Sequence, residues 1–306
     1  MTGFSTTVTA HAKVNLNLLV TGRRADGYHL LDMLNVCTVW GDRLELMIDT
    51  GSLIELEFTG PYSAIPASIS SKDNLISKAI ELFCRVTGRS LSVNVKTEKN
   101  IPAGGGLGGG SSNAAAVLRS LYGWYLKVNR LDSKEAAALH QRILKESLAL
   151  GADVPFIYNG RAARVTGIGE NISALSYVEW VEGRECLLIL PEYRINTAAA
   201  FTLLRERPEL ALTDGGRFEA VAADDFPAGQ NALELVACSL RPELRVLLEK
   251  LRQFEELIVQ ISGTGSSIYI LHKSLKTLPK QLKPELYAVA GRHSAEVIET
   301  RLLANW

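Results

Sequence analysis

The chain has 306 residues, 47% hydrophobic and 22% charged, enough for two units that each bury a core. Its 33 Lys and Arg balance 33 Asp and Glu, which argues against a general nucleic-acid binder and leaves room for a local basic site. Four scattered cysteines (Cys37, Cys84, Cys186, Cys238) lack any C-x-x-C spacing, which fits neither a zinc site nor a disulfide scaffold and suggests a reducing compartment. Met1 to Ala10 has no basic region followed by an apolar core, and no apolar run approaches the roughly 20 residues of a membrane span. A cytoplasmic protein with neither membrane nor nucleic acid as partner is expected.

The first element is a strand, Val8 to Val20, with Val14, Leu16, Leu18 and Val20 on one face and Lys13, Asn15 and Asn17 on the other. Three polar residues in register could be a solvated face, or could present a cation and two amides to a phosphate and hydroxyls. Periodicity alone leaves both open. A turn at Asp26-Gly27 follows and presents Tyr28 and His29 after two arginines. Either this is a loop with a solvated histidine, or a ring and two ring nitrogens form a platform for a base. Val36 to Trp40 and Leu44 to Ile48 predict a hairpin about Gly41-Asp42, and Leu53 to Phe58 a further strand. Ser71-Lys72-Asp73 then predicts the cap of a helix with Leu75, Ile76, Ala79, Ile80 and Phe83 as its apolar stripe.

Leu91 to Thr97 alternates apolar and polar, the pattern of a half-solvated, antiparallel strand. Lys99 follows, and then the stretch that organises the chain, Pro102-Ala103-Gly104-Gly105-Gly106-Leu107-Gly108-Gly109-Gly110-Ser111-Ser112. Six glycines in seven positions cost backbone entropy that folding does not require. What they offer is bare N–H groups, two hydroxyls and the positive end of a helix predicted to begin at Asn113: a cradle for a nucleotide phosphate. A Gly/Ser linker would not run straight into an apolar helix. A Walker A loop needs Lys where this chain has Ser111. The dinucleotide fingerprint is formally met by Gly104, Gly106 and Gly109, but the strand before it is not a buried parallel one.

Asp132, with Glu135, caps a helix from Ser133 to Leu150 that ends at Gly151. Asp153 then falls just past a helix C-terminus, the wrong end of the dipole for an acid. Arg164 to Glu170 is the expected boundary, giving units of 1–165 and 166–306. Cys186 to Leu190 is a short buried strand, and Thr197 to Arg205 opens a helix carrying Phe201. Asn231 to Leu240 and Pro242 to Phe254 are helices; Leu257 to Ile261 and Ile268 to Leu271 are strands around the small-residue turn Ser262-Gly263-Thr264-Gly265-Ser266.

The glycine stretch resembles the phosphate loop of the GHMP small-molecule kinases, P-x-x-x-G-L-G-[GS]-S-[SA]. Three further stretches resemble other motifs of that family, in family order: Ala12-Lys13-Val14-Asn15-Leu16 with Arg24-Ala25-Asp26-Gly27-Tyr28-His29 its first motif, then Gly151-Ala152-Asp153-Val154-Pro155-Phe156 its acidic segment, then the turn from Ser262 its third motif, which backs the phosphate loop. The resemblance implies an α+β fold of two domains, a ribosomal-protein-S5-domain-2-like N-terminal domain that binds ATP and a ferredoxin-like C-terminal domain. It implies ATP with Mg²⁺ and the cytidyl diphosphate of methylerythritol as acceptor. Lys13 and Asp153 are then catalytic. Pro102, Ala103, Gly104, Gly105, Gly106, Leu107, Gly108, Gly109, Gly110, Ser111 and Ser112 would hold the ATP phosphates, with Asn74 and Lys99 as further nucleotide contacts. Asn15, Tyr28, His29, Thr197 and Phe201 would hold the acceptor, Tyr28 and Phe201 on opposite sides of its cytosine. No protein ligand for the metal is implied.

Overall fold

A computed structural model describes residues 3–175, 178–211 and 229–306. The chain forms two compact units built from interleaved segments. The first comprises 1–12, 40–103 and 108–160; the second comprises 13–39, 104–107 and 161–306. Two long strands, β1 (Phe4–Arg23) and β2 (His29–Thr50), pair with each other and supply both units.

In the first unit, β4 (Leu91–Glu98) pairs antiparallel with β2 and parallel with β3 (Ile54–Thr59). The alternation read along β4 holds, since Leu91, Val93, Val95 and Thr97 are buried. Its pairing is mixed, however, because β3 returns alongside it in the same direction. A short helix α1 (Ala64–Ser68) precedes α2 (Leu75–Thr87); α3 (Gly109–Asn129), α4 (Ser133–Ser147) and α5 (Val154–Asn159) complete the helical layer. Helix α2 buries Ile76, Ile80, Leu82 and Phe83, each worth about 1.5–3 kcal/mol of transfer free energy. Its cap is Asn74, whose side chain accepts from Ile76 N at 3.0 Å, rather than Ser71 or Asp73.

The hairpin expected at Gly41-Asp42 does not form; β2 runs straight through both residues. Gly41 is there because β1 passes close: a Cβ would fall 2.2 Å from the Ala10 carbonyl oxygen. Asp42 turns inward. Its carboxylate accepts from the backbone N–H groups of Asn100 (2.7 Å) and Ile101 (2.8 Å), from Asn113 Nδ2 (2.8 Å) and from Lys99 Nζ. A Gly-Asp pair signals a turn only if its acid can reach water, and this acid is wholly buried.

In the second unit, β5 (Ala163–Gly167) pairs with β2 and with β6 (Asn171–Ala174). After α6 (Val178–Val181), the buried β7 (Glu185–Pro191) lies between β11 (Ala295–Leu303) and β10 (Ile268–His272), antiparallel to both. β10 also pairs with β9 (Leu257–Ile261). Helices α7 (Thr197–Glu206), α8 (Glu234–Leu240), α9 (Pro242–Leu251) and α10 (Lys283–Arg292) accompany them. Asn231 belongs to a two-residue strand, β8 (Gln230–Asn231), which runs parallel to β1, and not to the helix expected from it. The boundary expected at Arg164 to Glu170 falls inside the second unit, where those residues form β5 and the turn after it.

Candidate active site

The glycine stretch is braced from behind. Ser262 Oγ donates to the Gly106 carbonyl at 2.9 Å, Ser267 N donates to the Gly105 carbonyl at 3.1 Å, and Lys13 N donates to the Leu107 carbonyl at 3.0 Å. The turn between β9 and β10 therefore backs the loop. Gly106 has φ +79°, and a Cβ there would lie 2.0 Å from the Ser262 carbonyl oxygen. A loop whose carbonyls are tied rearward can turn its N–H groups to an anion.

Helix α3 starts earlier than expected. Gly108, left-handed at φ +66°, is its N-cap, so Gly109, Gly110, Ser111 and Ser112 form its first turn. Neither hydroxyl caps the helix. Ser112 Oγ is buried with no hydrogen-bond partner, while Ser111 is half-buried. An unsatisfied hydroxyl and free N–H groups in the first turn of a 21-residue helix suit a phosphate.

Lys13, Asn15 and Asn17 are all buried, which removes the solvated-face reading of β1. Lys13 Nζ donates to Asn15 Oδ1. Asn15 Nδ2 donates to Asn35 Oδ1 at 2.6 Å and lies 3.4 Å from Met33 Sδ, and Asn15 N donates to Ser262 Oγ at 3.2 Å. Asp153 belongs to the first unit and Lys13 to the second. The acid stands at the N-cap of α5, the favourable end of a dipole. Its apparent mismatch came from reading the preceding helix and missing the short one after it.

Lys99 has another occupation. Its ammonium is buried against Asp42 and donates to Asn113 Oδ1 at 2.9 Å. Burial lowers its pKa, and the Asp42 carboxylate opposes that shift. Such a pair holds β2, β4 and α3 together and leaves no exposed ammonium for a nucleotide. Asn74 likewise spends its oxygen on the α2 cap.

His29 and Phe201 stack, ring centroids 5.4 Å apart and 27° between planes. Burial, then Arg23, then Arg205 lower the His29 pKa, which favours a neutral imidazole. Tyr28 stands 63% exposed, held by the Gly27 turn in which Arg24 N donates to the Tyr28 carbonyl at 2.8 Å. Phe201 thus meets His29. Thr197 Oγ1 lies 3.2 Å from Thr264 Oγ1, which joins α7 to the bracing turn.

Two amides escaped the sequence reading. Asn231 Nδ2 donates to the carbonyls of Ile261 (3.1 Å) and Gly263 (2.9 Å) and so fixes the bracing turn. Asn35 receives Asn15. The signal for Asn35 was a lone amide in apolar surroundings, Met33-Leu34 with Val36-Cys37 around it; Asn231, next to Gln230, gave none.

Residues 74–161 match the GHMP kinases N terminal domain. A protein of Delftia acidovorans named 4-diphosphocytidyl-2-C-methyl-D-erythritol kinase is 35% identical over 86% of this chain and 85% of its own length. The chain belongs to the GHMP kinase family. A family member of the same name from Agrobacterium fabrum is 32% identical over 92% of this chain and 94% of its own. Among solved family structures, a 4-(cytidine 5'-diphospho)-2C-methyl-D-erythritol kinase superposes with a TM-score of 0.70 at 32% identity, covering 97% of this chain and 99% of that one. A mevalonate kinase shares the fold at 16% identity, with a TM-score of 0.64 and coverage of 98% and 100%. The α+β class and the GHMP fold expected from the motifs are therefore those observed. No helix among the described residues is long and apolar enough to cross a membrane.

Proposed function

We propose that this chain transfers the γ-phosphoryl group of ATP to the 2-hydroxyl of 4-diphosphocytidyl-2-C-methyl-D-erythritol, releasing ADP and the 2-phosphate. The step would serve isoprenoid precursor biosynthesis, in the cytoplasm, where four free cysteines stay reduced. The observation that carries the reading is the braced loop at Gly105–Leu107, a backbone cradle with its carbonyls turned away from where phosphates would lie.

In this reading Gly104 to Gly110 bind the phosphates through N–H groups, and Ser111 or Ser112 adds a hydroxyl. Asp153 takes or orients the proton of the acceptor hydroxyl, and Lys13, steadied by Asn15, offsets charge on the group in transfer. Mg²⁺ carried on ATP would neutralise the phosphate oxygens. His29 and Phe201 favour a flat, hydrogen-bonding base on the acceptor, which separates this reading from a mevalonate or homoserine kinase.

The test follows ADP release with ATP, magnesium and the cytidyl substrate. The parent protein is expected to turn over, and Asp153→Asn to do so about 10²–10⁴-fold more slowly with ATP affinity retained. Parent protein that releases no ADP refutes the kinase reading; a variant within a few-fold of the parent removes Asp153 from it.

A further inference from the structure

Asn35 lies on β2 at the end of its pairing with β5, opposite Ala163, so the sheet fixes its backbone position. It is fully buried, with Met33, Leu34, Val36 and Cys37 as its buried neighbours along β2. Its Oδ1 accepts from Asn15 Nδ2 at 2.6 Å, while its own Nδ2 has no hydrogen-bond partner. For folding alone this is a poor residue. A buried amide with an orphaned N–H costs stability that a leucine of similar volume would not.

What the fold loses, Asn15 gains. An asparagine amide can present either its oxygen or its nitrogen in a given direction, and only its hydrogen-bond partners choose. Asn15 must show oxygen to Lys13, because an amide NH₂ aimed at an ammonium would set donor against donor. With Asn35 Oδ1 accepting from Nδ2, the other end of the amide is forced to be Oδ1, and it faces Lys13 Nζ. Met33 Sδ, at 3.4 Å from the same nitrogen, is a weak acceptor and cannot set the orientation alone.

We propose that Asn35 is a positioning residue for phosphoryl transfer: it fixes the amide of Asn15 so that Asn15 holds the Lys13 ammonium. The inference rests on the proposed role of Lys13. Asn35 touches neither Lys13 nor the reacting groups in this account; it acts through one amide.

The test compares the parent with Asn35→Leu, which removes the acceptor and the orphaned N–H together, and Asn35→Asp, which keeps an acceptor oxygen in place. Turnover, KM for ATP and melting temperature are measured for each. Asn35→Leu is expected to lower kcat about 10- to 100-fold, the equivalent of one hydrogen bond to a charged group. Its KM for ATP should stay within about threefold and its melting temperature should change little, because the orphaned Asn35 N–H that is lost offsets the Asn15 N–H left without its acceptor, while Asn35→Asp recovers most of the turnover. A purely structural residue would do otherwise, with activity and melting temperature falling together and aspartate no better than leucine. That pattern, or Asn35→Leu turning over within about threefold of the parent, overturns the inference. If Asn35→Leu does not fold, Asn35 is structural and the inference fails as well. A parent protein without kinase activity refutes the proposed function instead, so the two failures are distinct.

Discussion

The phosphate loop and the ring pair are held in opposite ways. The loop is made of backbone and tied from behind, the Gly105 and Leu107 carbonyls by backbone N–H groups and the Gly106 carbonyl by the Ser262 hydroxyl, and Gly106 fits because it has no Cβ. The ring pair is made of side chains, His29 from the start of β2 and Phe201 from α7, with Tyr28 beside it in solvent. A backbone cradle binds what every nucleotide shares and tolerates no substitution. A side-chain platform reads what distinguishes one acceptor from another and can be retuned residue by residue.

Gly106→Ala is the largest expected breach of this contrast. A methyl 2.0 Å from the Ser262 carbonyl oxygen, on a residue at φ +79°, must push the bracing turn away. Strain and overpacking together should cost about 2–5 kcal/mol of stability, and ATP binding should be lost in calorimetry. Full ATP affinity in this variant would mean the loop is not the cradle.

A smaller effect is expected from Phe201→Ala. Removing one stacking ring should raise KM for the cytidyl substrate by about 1–3 kcal/mol equivalent, with KM for ATP unchanged. Both constants rising together would move Phe201 from acceptor recognition to general support of α7.

The smallest concerns His29. An NMR titration should place its midpoint below 6.5, the direction set by burial and by Arg23 and Arg205, and Arg205→Ala should move it back upward. Above 6.5 folded and unfolded chains both carry a neutral imidazole, so His29 adds no pH dependence to stability there. Below it the unfolded chain binds the proton first, and stability declines as pH falls until the folded His29 is protonated too. An unmoved midpoint in Arg205→Ala would show that the arginine does not act on the ring.

Local signals alone made several elements legible. The capping box at Asp132 and Glu135, the apolar stripe of α2, the alternation of β4 and the strands about Ser262 each need only a few neighbouring residues, and each is observed. The glycine stretch marked the family for the same reason, since its pattern is local. Other readings failed where a distant residue overrode a local one. Gly41-Asp42 carries the chemistry of a turn, yet Lys99, Asn113 and two backbone N–H groups more than fifty residues on draw Asp42 inside and keep β2 straight. Lys99 looked available for a nucleotide because a sequence shows a charge and not its partner. Asp153 looked misplaced because a six-residue helix has too short a period to announce itself. Sequence by itself determined the family: a glycine stretch, a lysine and an acid in family order. Tertiary structure alone decided which polar side chains brace and which remain to bind, because a hydrogen bond between Asn15 and Asn35, or Ser262 and Gly106, depends on strands meeting in space and leaves no period in the chain.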